Sequence, residues 1–326
     1  TVTNAITVDQ ANLLTATTSG VVTATIATTE TVTELATLNA DGGNNALTIV
    51  IRAADATNCS AAQLNTINDA TSVAIDASAV TGLTSDTISN IQTLLTAGND
   101  TNQFTANSFS SLTSVVVSDS TLDVSELVDA VDEANTATGN TSTVFNISAS
   151  TTIDGGTEAN FTDLLTDETN NQVSITNQNL TVDGTISVDN ANLLDATTTG
   201  TVTASITTTE TVDELKTLTG THAYTIVIAA GDATGSTADE FNTINGRTSV
   251  PIDASAVTGL ASDTISNIKT LLIDRNDTNQ FTANSFSSLA TVVVNDSTLD
   301  VSDLVDAVEA NTATGNTSTV FNISAS

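Results

Sequence analysis

The 326-residue chain carries 38 acidic residues against five basic ones, a net charge of -33, and such a surface repels nucleic-acid phosphates and anionic lipids. Hydrophobic residues make up 39% of the chain, but Met and Trp are absent, so a core has to be built from Val, Ile, Leu and Ala, with Thr at its margins. Because no run approaches the roughly 18 apolar residues of a membrane-spanning helix, we expect neither a nucleic-acid partner nor a membrane span.

The chain contains two copies of one sequence unit. The stretch NDTNQFTANSFSSL at 99–112 returns unchanged at 276–289, and 1–38 returns with substitutions at 181–218. We predict that residues 1–150 are the first copy, 151–180 a connecting stretch that continues the same architecture, and 181–326 the second copy. Copies this alike are typical of duplication within an array.

Short helices are predicted at capping boxes, in which Ser, Thr or Asp is followed three residues later by Glu or Gln. Aliphatic residues then recur at spacings of three and four, as in the two stripes Ile88, Ile91, Leu94, Leu95 and Val124, Leu127, Val128, Val131. This spacing is typical of amphipathic helices. In chain order the predicted boxes are Thr7 with Gln10, Thr31 with Glu34, Ser60 with Gln63, Asp123 with Glu126, Thr211 with Glu214 and Thr237 with Glu240.

A β-branched run follows most helices after a Gly, Asn or Asp turn, and its alternating apolar positions predict a strand. In one such run Leu47, Ile49 and Ile51 face one way, while Thr48 and Arg52 face the other. The strands predicted for the first copy are 21–28, 47–53, 72–78, 114–120 and 142–148, and the second copy repeats them.

A helix–turn–strand unit of about 25 residues, repeated along the chain, predicts a right-handed α/β solenoid. In this fold the strands stack into one parallel β-ribbon and the helices line one face. A β-helix without true helices is one alternative, and the capping boxes disfavour it. A two-domain α/β enzyme is another, and the near absence of long non-repeating segments disfavours it.

The repeated insertion adds a predicted turn at 99–104 and a predicted short helix over 105–112. Phe104 and Phe109 within it are predicted to fill the core. At the chain ends, the first residues and the closing STVFNISAS both have strand patterns and no polar cap. Since an open end exposes an apolar layer and unpaired strand edges, we expect either continuation in a longer array or end-to-end self-association.

Residues suited to catalysis are few. The single histidine, His222, has no equivalent in the first copy and is predicted to lie in a turn. The single cysteine, Cys59, is predicted to be a small buried or semi-buried residue rather than a metal ligand. We therefore expect no enzyme activity and no required cofactor.

Calcium is the one ion that the sequence suggests. Asp76 and Asp119 of the first copy recur as Asp253 and Asp296 of the second, in or just after predicted strands. Carboxylates and turn carbonyls are calcium ligands, so these four aspartates are candidate metal ligands. The alternative is that they form solvated acidic surface.

The cadence VDNANLLDATTTGTVTASI at 188–206, followed by ETVDELKTL at 210–218, resembles the Thr/Asn/Asp-rich repeat regions of very large secreted or surface proteins of bacteria, cyanobacteria especially. The resemblance implies an extracellular or cell-surface location. We expect a non-enzymatic structural repeat protein, acting as a rigid spacer or filament body. The alternative is an adhesin whose exposed strand face binds a carbohydrate or another surface.

Overall fold

The computed structural model describes residues 1–40, 44–138, 142–313 and 315–324. These residues form a mixed α/β fold, and the chain divides into two compact units, Thr1–Gln178 and Asn179–Ser326. The first unit therefore holds the first sequence copy together with most of the predicted connecting stretch. Among the described residues, no helix is long and apolar enough to cross a bilayer.

The first unit alternates helices with short strands. Its helices are α1 (Val8–Thr17), α2 (Val32–Leu35), α3 (Ala61–Asp69), α4 (Ile88–Gly98), α5 (Val124–Thr138) and α6 (Glu158–Thr169), with a 3-10 turn at Ala53–Asp55. Its strands are β1 (Thr23–Thr25), β2 (Ala46–Thr48), β3 (Gly82–Asp86), β4 (Ser114–Val117), β5 (Thr121–Asp123), β6 (Val144–Ile147) and β7 (Thr152–Gly156). Parallel pairing joins β1 with β2, β3 with β4, β4 with β6, and β5 with β7.

The second unit repeats this pattern. Its helices are α7 (Val188–Thr197), α8 (Val212–Leu215), α9 (Ala238–Asn245), α10 (Ile265–Asp274) and α11 (Val301–Ala313), with a 3-10 turn at Ala230–Asp232. Its strands are β8 (Asn179–Ile186), β9 (Val202–Ile206), β10 (Ala223–Thr225), β11 (Gly259–Asp263), β12 (Thr291–Val294) and β13 (Val320–Ile323). Parallel pairing joins β8 with β9, β9 with β10, β11 with β12, and β12 with β13.

Local side-chain caps explain where the helices begin. In five of the predicted boxes, a Ser or Thr hydroxyl accepts from the backbone N–H three residues on, and the Glu or Gln there accepts from the cap N–H. These five confirmed boxes begin at Thr7, Thr31, Ser60, Thr211 and Thr237. Asp123 also lies at a helix start, and its Oδ1 accepts from the Ser125 N–H at 2.8 Å.

The core lies beneath the predicted apolar stripes. Both stripes of the first unit are buried, in α4 and in α5, and successive helices from α3 to α6 pack against one another. In β4, Val115 and Val117 are buried while Val116 between them is 37% exposed. Short strands and amphipathic helices thus cover one another's apolar faces within each unit, as the period-two and period-3.6 patterns require.

The predicted single α/β solenoid is wrong. The strands of the described residues fall into separate small parallel sheets, and no one stacked ribbon joins them. Register shifts between Leu83 and Asp86, and between Leu260 and Asp263, interrupt the hydrogen-bond ladder. Most strands are only three to five residues long, so each ladder is short, and the strands are divided among separate sheets of two to five strands. The coarser expectation, parallel sheets combined with helices, is confirmed.

Two local predictions are also wrong. Residues 72–78 form isolated parallel bridges, Val50 with Asp76 and Ile75 with Phe104, rather than a strand. Residues 105–112 form turns instead of a helix, because Asn107 and Phe109 adopt left-handed backbone angles, with φ of 69° and 63°, which a right-handed helix excludes. The core prediction for Phe104 and Phe109 is confirmed, since both are fully buried.

Candidate functional site

The four aspartates predicted as calcium ligands all accept backbone hydrogen bonds. Asp76 and Asp253 bond within their own turns, where each Oδ1 accepts from the N–H of the serine two residues on, at 3.0 and 2.9 Å. Among the described residues, no group of three or more His, Cys, Asp or Glu side chains is placed to hold a metal ion. The calcium assignment of the four stays a prediction, because backbone oxygens also bind calcium.

Asp119 and Asp296 bond to distant helices. The Asp119 Oδ2 accepts from the Ile88 N–H at 2.8 Å, and Ile88 is the first residue of α4. The Asp296 Oδ2 accepts from the Ile265 N–H at 2.7 Å, and Ile265 is the first residue of α10. Each carboxylate therefore completes the N-terminus of a helix that precedes it by 31 residues in the chain.

This arrangement recurs through both units. In seven helices of the described chain, the first or second backbone N–H donates to the side-chain carboxylate of an acidic residue 20 to 31 positions later in the chain. We call these seven acidic residues the remote caps. They are Asp55 on α2, Asp86 on α3, Asp119 on α4, Glu210 on α7, Asp232 on α8, Asp263 on α9 and Asp296 on α10.

The remote caps stabilise the helices for two physical reasons. The first N–H groups of a helix have no intrahelical acceptor, and the local Ser or Thr hydroxyl satisfies only one of them. A negative charge there also interacts favourably with the helix dipole. A carboxylate cap of this kind contributes about 0.5–2 kcal/mol, so the acidic composition has a structural use.

The pKa values show how firmly two of the caps are held. The hydrogen bond from the Arg52 guanidinium, 2.8 Å away, lowers the pKa of Asp55, with the Val32 N–H adding to it against the effect of burial. Burial would raise the pKa of Asp86, but hydrogen bonds from Asn90, Ala62 and other donors outweigh it and leave the pKa lowered. Both carboxylates are therefore charged at neutral pH.

Asparagines make a second set of connections between successive segments. Near the middle of a helix, each of four asparagine Nδ2 groups donates to a backbone carbonyl 25 residues later, at 2.9–3.1 Å. The pairs are Asn12 with Thr37, Asn65 with Asn90, Asn192 with Thr217 and Asn242 with Asn267. The constant separation and the recurrence in both copies show that these amides join neighbouring segments.

His222 is buried and lies immediately before β10, where it forms an isolated parallel bridge with Thr248 instead of the predicted turn. Its Nδ1 accepts from the Val202 N–H at 3.1 Å, which places the proton on Nε2, 2.6 Å from the Asp195 Oδ1. Burial opposes the charge of Asp195, but hydrogen bonds from Thr219 and His222 outweigh it and lower the pKa of Asp195. Both ring nitrogens are engaged within the protein.

The first copy shows what this histidine does. Asn45 occupies the corresponding position, and its Oδ1 accepts from the Val22 N–H at 3.0 Å, just as the His222 ring accepts from Val202. The shared contact is structural. Cys59 is also structural: it is fully buried, as predicted, and burial raises the pKa of its thiol to about 11, which leaves it unreactive at neutral pH.

A polar groove lies between α3 and α4 in the first unit. It has a volume of about 430 Å³ and is lined by Asn65, Asn68, Asp69, Gln92, Thr93, Thr96, Ala97 and Gln103. The Asn65 Oδ1 is buried and accepts no hydrogen bond. Amide and carboxylate groups of this kind bind hydroxyl groups.

Sequence reasoning missed the remote caps, although one signal was present. Asp86 and Asp263 directly precede Thr87 and Thr264, the residues that cap α4 and α10, so an acidic residue just before a helix was the available signal. The helix that each remote cap binds is set by how the chain packs.

No family model matches the chain, and no curated protein or solved structure matches it.

Proposed function

We propose that this chain is a non-enzymatic structural protein of the cell surface or extracellular matrix, and that it serves as a spacer. The observation that carries the proposal is the set of remote caps. Seven carboxylates of the described chain are committed to helix N-termini. A carboxylate that caps a helix is occupied within the fold and is not held ready for a substrate.

The duplication supports the same function. Three pairs of remote caps occupy corresponding positions in the two copies: Asp55 with Asp232, Asp86 with Asp263, and Asp119 with Asp296. Each member of a pair caps the corresponding helix. A duplicated device of this kind extends a structure, whereas one catalytic centre needs only one set of residues. The cell-surface location follows from the resemblance of the repeats to those of large surface proteins.

A location and binding experiment tests this proposal. Antibodies against the purified chain should label intact, unpermeabilised cells of the producing organism, and the purified chain should bind no glycan saturably on an array. Electron microscopy of the same material tests self-association, because joined particles should grow longer as the concentration rises. Intracellular labelling, or turnover of a polysaccharide, would contradict the structural function.

An adhesin is the second candidate, and the polar groove between α3 and α4 is the observation that favours it. Gln92 lines this groove, and the corresponding residue of the second copy is Lys269, which pairs with Asp303 at 2.5 Å. If the chain is an adhesin, a specific glycan will bind the array and Gln92→Lys will abolish that binding. Leu13→Lys, at an exposed position of α1, is the control that adds the same charge and leaves the groove intact.

A further inference from the structure

A second polar cavity lies in the first unit between α5 and α6. Its volume is about 510 Å³, and oxygen-bearing side chains line it: Asp132, Asn135, Thr166, Asp167, Asn170 and Gln172. The sequence of the first unit contains a single basic side chain, Arg52, and this residue pairs with Asp55. None of the described residues that line this cavity is Lys or Arg.

Two of the lining oxygens are buried without a hydrogen-bond donor. Asp167 is only 7% exposed, and its Oδ2 has no hydrogen-bond partner. The Asn135 Oδ1, on the facing helix, is also buried and unpartnered. Burying an acceptor without a partner, and above all a carboxylate, raises the free energy of the folded chain. A donor or a cation bound in the cavity would remove this cost.

The electrostatic surroundings favour a cation at this point. The carboxylates of Asp132 and Asp163 are close enough to act on the Asp167 carboxylate, and their negative charges add to its own. Asp167 also lies in the last turn of α6, which contains no basic residue. The negative end of a helix dipole adds to the attraction for a cation.

We propose that this cavity is a calcium site, with the Asp167 carboxylate and the Asn135 amide oxygen as ligands and Asp132 as a second carboxylate. Calcium accepts six to eight oxygen ligands in flexible geometry, including carboxylates, amide carbonyls and water. Magnesium requires a smaller and more rigid octahedral arrangement and keeps more of its own water. The site is separate from Asp76, Asp119, Asp253 and Asp296.

The test is calorimetric titration of the full chain, stripped with chelator, with calcium and separately with magnesium. A buffer at pH 7.5 with about 0.5 M NaCl screens weak binding to exposed carboxylates, because the Debye length falls to a few ångströms. We expect stoichiometric calcium binding, weakened at least about tenfold in Asp167→Asn. Asp9→Asn is the control, since Asp9 is exposed in the same unit and loses the same charge.

Thermal melting shows whether Asp167→Asn still folds, and it tests the proposal in a second way. Without calcium, Asp167→Asn should melt higher than the wild type, because it removes an unpartnered buried charge while keeping the side-chain shape. A calcium concentration that saturates the wild type should raise its melting temperature by more than that of Asp167→Asn. The proposal is overturned by a lack of stoichiometric binding or by equal calcium affinity in Asp167→Asn. The proposal is also overturned if the Asp167 carboxyl keeps its proton near neutral pH when calcium is added.

Discussion

The two identical stretches, 99–112 and 276–289, have the same sequence but different neighbours. In both, the second phenylalanine takes a left-handed backbone, with φ of 63° at Phe109 and 56° at Phe286. Gly98 lies against the Phe109 ring, whereas Arg275 occupies the corresponding position of the second copy. The Arg275 guanidinium is buried and donates to the Phe286 backbone carbonyl at 3.2 Å.

Comparing the two sets of neighbours shows which features depend only on the sequence of the stretch. The left-handed phenylalanine and its contact with the first phenylalanine recur, with ring centroids 5.1 Å apart in one copy and 5.4 Å in the other. The surroundings of the ring do not recur, since Phe286 also packs edge-on against Phe241 at 5.3 Å. Asn107 has a positive φ of 69°, whereas Asn284 at the corresponding position is not among the described residues with positive φ. The sequence of the stretch therefore determines the backbone at its second phenylalanine, and the residues around it affect the rest of its backbone and the packing of its core side chains.

The largest expected effect comes from removing these rings. Phe109→Ala and Phe286→Ala should each lower the free energy of unfolding by about 3–5 kcal/mol, because each empties a fully buried site. Phe286→Ala should lose about 0.5–1.5 kcal/mol more, since it also loses the contact with Phe241. Urea denaturation of the full chain measures both values. Equal losses would show that the Phe241 contact contributes nothing, and Val116→Ala, at a partly exposed position, is the control.

A smaller effect is expected when Gly98 gains a side chain. A Cβ at this position would lie 2.8 Å from the Phe109 ring, so Gly98→Ala should cost about 1–3 kcal/mol through overpacking. This reverses the usual gain from replacing glycine in a helix. Gly231→Ala is the matched control, because a Cβ there meets nothing within 4 Å. Thermal melting compares the two variants, and stabilisation by Gly98→Ala would contradict the packing described here.

The remote caps should give a pH-dependent effect. The pKa of Asp86 is lowered in the folded chain, so its carboxylate stabilises the fold above its ordinary pKa of 3.8 and loses this effect as the pH falls through the lowered value. Asp86→Asn should cost about 1 kcal/mol at pH 7, and its deficit should vanish near pH 2. Urea denaturation at both pH values measures it. A deficit that does not change with pH would assign the loss to shape rather than charge.

The smallest effect is expected for His222→Asn, and His222→Leu should cost more. His222→Asn recreates the residue of the first copy and keeps an acceptor for the Val202 N–H, so it should cost about 1 kcal/mol or less. His222→Leu leaves that buried N–H without an acceptor and should cost about 1–3 kcal/mol. Thermal melting of the two variants checks the order, and equal losses would show that the ring acts through packing alone.

Features that depend on three or four neighbouring residues could be predicted from the sequence. The box of Thr31 with Glu34 and the stripe from Ile88 to Leu95 are set by local geometry, and the structure confirms both. The failed strand at 72–78 has a suitable alternating pattern, but strand formation also depends on the register of its neighbours. The left-handed Phe109 could not be predicted, because residues with a side chain rarely adopt positive φ.

The residues of the candidate site also divide into features that the local sequence predicts and features that depend on packing. The four aspartates were singled out correctly as recurring positions, yet the bond from Asp119 to Ile88 depends on how two segments pack. The orphaned oxygens of Asp167 and Asn135 depend on the packing of α5 against α6, which no local pattern specifies. Sequence alone therefore identified acidic positions but could not assign their partners.

The remote caps also have a consequence for how the protein emerges from the ribosome. Each capped helix is synthesised 20–31 residues before the acidic residue that completes its first turn. At the usual speed of translation this is a wait on the order of seconds. During that interval the first turn of the helix lacks this acceptor, so each capped helix reaches its full stability only after the later acidic residue has been synthesised and packed against it.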